Sequence, residues 1–125
     1  MVSSKLLQEA DALREQILSQ RRWLHQNAET GFDLRKTHSF VKKELENMGY
    51  QPEDCGRAGI VALAGGKKAG KVFLLRADMD GLPIQEESGV EFACRSGNMH
   101  ACGHDLHTAM LLGAAKLLKE VRCDG

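Results

Sequence analysis

Residues His100–Thr108 read H-A-C-G-H-D-L-H-T. His100, Cys102, His104, Asp105 and His107 all carry side chains that bind metals or move protons. Cys102 and His104 make the best ligand pair, because a thiolate and an imidazole suit zinc or another borderline first-row ion. Their i, i+2 spacing cannot put both on one helix face. A loop bent at Gly103, which has no Cβ, can turn both inward. Asp105 stands where a helix cap would stand. His107 falls in the first turn of the helix that follows and reads either as a ligand or as the lining of a site. His100 reads either as support for a ligand or as packing.

Asp78-Met79-Asp80 follows an apolar run directly. In open α/β sheets, functional groups gather at the carboxyl ends of strands. Asp80 in that place orients a ligand or tunes its proton affinity. The competing reading is a turn before Gly81 and Pro83. A structural zinc takes four protein ligands and a catalytic one about three plus water. Two ligands are therefore too few, and the others are expected beyond residue 125. His25 and His38 lie on expected helices and read as structural, and Cys55 and Cys94 have no partner pattern.

The elements that must position these groups are legible from periodicity. Leu6, Ala10, Leu13, Ile17 and Leu24 predict one amphipathic helix from Ser4 to about Asn27. Gly31 breaks it, and Asp33 is expected to cap a second helix carrying Leu34, Phe40, Val41, Leu45 and Met48, ended by Gly49. Gly59–Ala64 is a short apolar run. Lys67–Gly70 reads as a polar turn, and Lys71–Arg76 as a strand buried on both faces. One short turn apart, the two runs are expected to pair as a hairpin. A third helix, Leu106 to about Val121, is apolar on most sides and reads as well buried. The order predicts a layered α/β domain with a mixed sheet. So small a sheet would leave an open edge and an exposed apolar face, so residues 1–125 read as the first part of a larger domain.

Composition narrows the partners. The chain has 125 residues and a formal net charge of zero, which argues against nucleic acid or an acidic membrane surface. Arg21-Arg22 and Lys67-Lys68 are too short to be basic patches. The N-terminus lacks the apolar core of a secretory signal, and no apolar run approaches the roughly 18 residues of a membrane span. Cys55, Cys94, Cys102 and Cys123 form no C-x-x-C pair, so reduced thiols and a cytoplasmic location are expected.

Three stretches, R-R-W-L-H-Q-N-A-E-T-G-F (Arg21–Phe32), L-L-R-A-D-M-D-G-L-P-I (Leu74–Ile84) and G-N-M-H-A-C-G-H-D-L-H-T-A-M-L-L-G-A-A (Gly97–Ala115), occur in a shared order and spacing. They resemble the amidohydrolase branch of the aminoacylase and carboxypeptidase-G-like metallopeptidases. That branch includes hippurate hydrolase, N-acetyl-diaminopimelate deacetylase and the indole-acetyl-amino-acid hydrolases.

The resemblance implies the N-terminal part of a layered α/β/α metallopeptidase catalytic domain, with the rest of that domain and a dimerisation domain absent from residues 1–125. It implies amide hydrolysis of small N-acyl amino acids by water activated on two divalent ions (Zn, Mn, Co or Ni), in an enzyme that assembles as a homodimer or homo-oligomer. Cys102 and His104 match metal ligands, and Asp80 matches the aspartate that supports the catalytic centre. More distant relatives carry a histidine ligand at the place of Asp78, so Asp78, like Asp105 and His107, is a supporting candidate. The family's general base belongs to a Glu-Glu pair after the third helix, beyond residue 125. Glu86-Glu87 precedes the metal loop and reads as an exposed loop. The family often has Pro at the place of Ala28 and Ala at the place of Gly81. The chain without its base is expected to be inactive. The alternatives are a metal-binding remnant without catalysis and a plain cytosolic α/β domain with Cys102 and His104 merely buried.

Overall fold

A computed structural model describes residues 2–66 and 68–120 of the chain. The turn residue Lys67, the expected helix end at Val121 and the stretch from Arg122 to Gly125, with Cys123, lie outside the described residues.

The expected first helix is two, α1 (Val2–Ala12) and α2 (Arg14–Gln26). Leu13 adopts φ −87° and ψ 1°, and its N–H closes a tight bond to the Ala10 carbonyl (3.1 Å). That i→i−3 geometry interrupts the α-helical ladder for one residue, and Asp11 binds Arg14 across the break. The second helix is α3 (Arg35–Asn47). Asp33 does not cap it and instead pairs with Arg35 at the surface (3.1 Å). The free N–H groups of Lys36 and Thr37 are taken by the Glu29 carboxylate (3.1 and 2.7 Å). Glu29 reaches in from the preceding loop and places its negative charge at the positive end of the helix. At the other end Gly49 (φ +93°) turns the chain. Its N–H bonds Glu46 and the Tyr50 N–H bonds Leu45 (2.9 and 3.0 Å), a paired closure that satisfies the last carbonyls.

The sheet differs from expectation. β1 (Glu53–Cys55) pairs antiparallel with β2 (Gly59–Val61), in the register Glu53↔Val61, Asp54↔Ile60 and Cys55↔Gly59. The partner of the first apolar run is thus the polar segment before it, not Lys71–Arg76. A strand buried on both faces needs neighbours on both edges and cover above and below. Among the described residues nothing pairs with 71–76, and Val72, Phe73 and Leu74 are exposed. The mixed sheet is reduced, within these residues, to the short hairpin and two bridges, parallel Thr30↔Gly81 and antiparallel Leu82↔Met99. These bridges tie the Asp80–Pro83 turn to the loop after α2 and to the segment before the metal loop.

The last described helix is α4 (His104–Glu120). It is buried on one side, through Asp105, Thr108, Ala109, Leu112 and Gly113, while Leu106, Met110 and Leu118 face outward. The expectation of burial on most sides therefore does not hold within these residues. α4 packs chiefly on α2. Leu24, Val41, Ala109 and Leu112 form the core, with Ile17, Trp23, Phe40 and Met79 against it. Trp23 and Phe40 stack with ring centroids 4.1 Å apart, which ties α2 to α3. No helix among the described residues is long and apolar enough to cross a membrane.

Leu24 is 1% exposed at the α2–α4 contact, whereas Leu7 on α1 is 72% exposed. Leu24→Ala should lower stability by about 2–5 kcal/mol, and Leu7→Ala by less than about 0.5 kcal/mol. Chemical denaturation followed by Trp23 fluorescence measures both. Equal losses would contradict this core.

Candidate metal centre

The loop before α4 turns at Gly103, whose φ of +84° is costly for a residue with a Cβ. That turn separates Cys102 from His104, so the two side chains leave the chain in different directions. His104 opens α4. Three residues on, His107 shares its helix face, as i, i+3 neighbours do.

This face looks onto the Asp78–Asp80 segment. His104 Nδ1 lies 2.8 Å from the Asp80 carbonyl and 3.0 Å from Asp80 Oδ1. Both partners are acceptors, so Nδ1 carries the hydrogen, and in the neutral ring Nε2 keeps its lone pair. Nε2 points toward Asp78 Oδ2 at 3.4 Å. His107 Nδ1 donates to Asp78 Oδ1 (2.8 Å), and Thr108 Oγ1 donates to the Asp78 carbonyl (2.8 Å). The two imidazoles stack at 5.5 Å between centroids. The hydrogen bond from His107 holds the Asp78 carboxyl below its ordinary range, with both nearby imidazoles adding to it against the effect of burial.

One ligand atom each from Asp78, His104 and His107 fall within 4.8 Å of one another. A carboxylate oxygen and two imidazole nitrogens suit a first-row divalent ion. The Asp80–His104 contact is the carboxylate–histidine arrangement that orients a ligating ring and raises its basicity. The structure thus brings together Asp78, Asp80, His104 and His107. Cys102 is exposed and lies outside that group. It borders a cavity of about 430 Å³ on the side of α4 that holds Arg21, His25, Glu86 and His100.

Asp105 is not a cap. It sits inside the first turn, 1% exposed, and points away from His104 and His107 into the α2 interface. Its Oδ2 accepts from Arg21 Nε (2.9 Å) and lies 2.8 Å from His25 Nδ1. The other ring nitrogen of His25 lies 2.9 Å from Glu86 Oε2. Only a ring donating from both nitrogens serves both oxygens at once. His25 thus bridges two buried carboxylates, and His38, which contacts Asp54 (2.9 Å), links α3 to β1.

Glu86 departs from the expected exposed loop. It is buried, accepting from Ser88 Oγ and from the Cys94 N–H (2.9 Å) as well as facing His25. Burial favours its neutral form. The bonds from Ser88, His25 and Cys94 outweigh burial and hold its pKa down to about 2. Neither Glu86 nor the Glu29 helix cap carries a signal in its neighbouring residues, because both roles depend on partners distant in the chain. His100 is buried, and among the described residues neither ring nitrogen has a hydrogen-bond partner. Burial pushes its pKa below the ordinary value.

Residues 74–125 match the family model described as Peptidase family M20/M25/M40. The chain is 40% identical over 126 residues to an N-acyl-L-amino acid amidohydrolase of Geobacillus stearothermophilus, covering 99% of this chain and 34% of that protein. It is 46% identical over 110 residues to an N-acetyl-L-cysteine deacetylase of Bacillus subtilis, covering 86% of this chain and 26% of that protein. Its backbone superposes with a TM-score of 0.82, at 37% identity, on the crystal structure of a Bacillus subtilis dinuclear metal-binding peptidase of the M20 family, covering 88% of this chain and 32% of that one. The resemblance carried by the three motifs is borne out, and so is the fold class it implied. The chain spans about a quarter to a third of the length of the relatives it matches.

Because the pKa of Glu86 lies below its ordinary value of 4.5, its bonds stabilise the fold fully above that pH. The contribution is lost as pH falls from about 4.5 toward about 2. Thermal melts of wild type and Glu86→Gln should differ most at pH 7 and converge through that window. A gap that stays constant with pH would contradict the assignment.

Proposed function

We propose that this chain, which matches about a third of the length of an M20 relative of known structure, is the N-terminal portion of the catalytic domain of a metal-dependent amidohydrolase. Its reaction is hydrolysis of the amide bond of an N-acyl amino acid. The observation that carries the metal reading is the His104 ring: Nδ1 is committed to Asp80, and Nε2 faces Asp78 beside His107. The activities for which these relatives are named support the substrate class.

In this reading Cys102 and His104 are metal ligands by their match to the family motif, although Cys102 lies outside the group formed by Asp78, His104 and His107; Asp80 orients His104, and Asp78 and His107 support the same centre. Asp105 holds the turn that carries the histidines. The chemistry that divalent ions held by these residues would supply is polarisation of an amide carbonyl and a lowered pKa of bound water. The residues of the chain fix the ring orientation, hold the proton on His104 Nδ1 and close one side of the site. The matched dinuclear peptidase supports two ions, for which we take zinc, manganese, cobalt or nickel. The general base and the remaining ligands come from sequence beyond residue 125. The whole enzyme acts in the cytoplasm as a homo-oligomer on small molecules, without nucleic acid or membrane partners.

Titration of the 125-residue chain with Co²⁺, followed by visible absorption, tests the metal reading. Wild type should give a cobalt–ligand spectrum at millimolar to micromolar metal. Cys102→Ser should remove the thiolate charge-transfer band, and His104→Ala should weaken binding at least tenfold. Absence of any spectral change would sink this reading.

Assayed alone on N-acetyl or N-benzoyl amino acids, the chain should show no turnover, since loss of a catalytic base alone removes about 10²–10⁴-fold in rate. Clear metal-dependent hydrolysis would show that residues 1–125 hold a complete site.

A further inference from the structure

The first turn of α4 is held on two opposite sides. With about 100° per residue in an α-helix, His104 and His107 lie about 60° apart on one face. Asp105 lies about 100° from His104 and about 160° from His107. One face meets Asp78 and Asp80 through the two imidazoles. The opposite face meets α2 through a single buried carboxylate oxygen, Asp105 Oδ2, which contacts both Arg21 and His25. Rotation of this turn about its axis would swing His104 and His107 away from the aspartates. That same rotation would draw Asp105 out of its contacts with α2. His25 is in turn fixed from behind by Glu86, whose other oxygen accepts from the Cys94 N–H, and by edge-on packing of Phe92 at 5.4 Å.

We infer that His25 and Arg21 are positioning residues for the histidine face of α4. They act through Asp105, so that α2 sets the angle at which His104 and His107 meet Asp78 and Asp80. The chemical consequence rests on the metal reading above; the geometric claim does not. Of the two holds, that of His25 is the stronger. It is buried with its partner, whereas the Arg21 side chain is 25% exposed. Outer partners that orient ligating groups commonly change metal affinity by about 10–100-fold.

Two substitutions at one position separate positioning from mere stability. In His25→Asn the side-chain amide stands where Nδ1 stands and can still donate to Asp105. In His25→Gln it stands where Nε2 stands and serves Glu86 instead. Both remove one buried hydrogen bond, so melts should fall by similar amounts. Long-range ¹H–¹⁵N spectra of the metal-free chain then report the ring tautomers of His104 and His107. Wild type and His25→Asn should show the Nδ1–H form at both rings. His25→Gln should show averaged tautomers, and Co²⁺ affinity about 10–100-fold lower.

Identical spectra in the two variants, or the same loss in both, would overturn the inference. If His25→Gln does not fold, Arg21→Gln decides: partial averaging supports the inference, and a wild-type pattern overturns it. The spectra need no metal. A chain that shows the tautomer pattern but binds no Co²⁺ therefore sinks the metal reading and leaves the positioning inference standing.

Discussion

A carboxylate that is 1% exposed is tolerated only when it is paired, because desolvation of a lone buried charge exceeds most other terms in a small domain. Asp105 is that carboxylate here, and the arrangement around it follows from the need to pair it. Arg21 and His25 must lie one helical turn apart on α2 to reach one oxygen. α2 must then run against α4, with Leu24, Ala109 and Leu112 closing the apolar remainder of the same contact. His25, once turned toward Asp105, presents its second nitrogen to Glu86, and the loop from Glu86 to Cys94 folds back to satisfy it. Removing one member of such a set costs about 3–5 kcal/mol, a large share of what a domain of this size has to spare.

The same pairing has a directional effect. Hydrophobic burial is non-directional, so by itself it defines the angle of a helix less sharply than oriented bonds do. Hydrogen bonds between charged groups are short and angle-dependent. Placing one such contact on the α2 side of α4 and others on the Asp78–Asp80 side gives the first turn a defined angle. Asp78 is a shared node: its carboxylate meets both imidazoles and its carbonyl accepts from Thr108. The result is an electron-pair donor set arranged before any ligand arrives, which is what preorganisation means in energetic terms.

Much of this was legible in the residues. The period of Leu24, Val41 and Leu112 marks the faces that form the core, and the cluster from His100 to His107 marks the region of the site. Gly49 marks the end of α3. What was not legible depends on contacts between distant positions. Glu86 and Glu87 are adjacent and chemically alike, yet one is buried, and only the imidazole at position 25 distinguishes them. Asp33 has the residue type and place of a cap, but Glu29 has the better approach to the same N–H groups. β1 is polar, with Asp54 at its centre, and β-propensity argues against it. It forms because it lies one turn before β2. The neighbours of Asp105 suggest a cap, whereas its burial follows from the arginine and histidine on α2.

The run Val72–Leu75 has a different kind of consequence. Four successive apolar residues, two of them β-branched or aromatic, stand exposed with no ladder partner among the described residues. Such a segment is a template on which identical segments of other molecules can assemble edge to edge. Lys71 and Arg76 bracket it, and like charges brought into register at both ends oppose that stacking. Salt screens exposed charges, so the opposition that Lys71 and Arg76 offer to such stacking weakens as ionic strength rises.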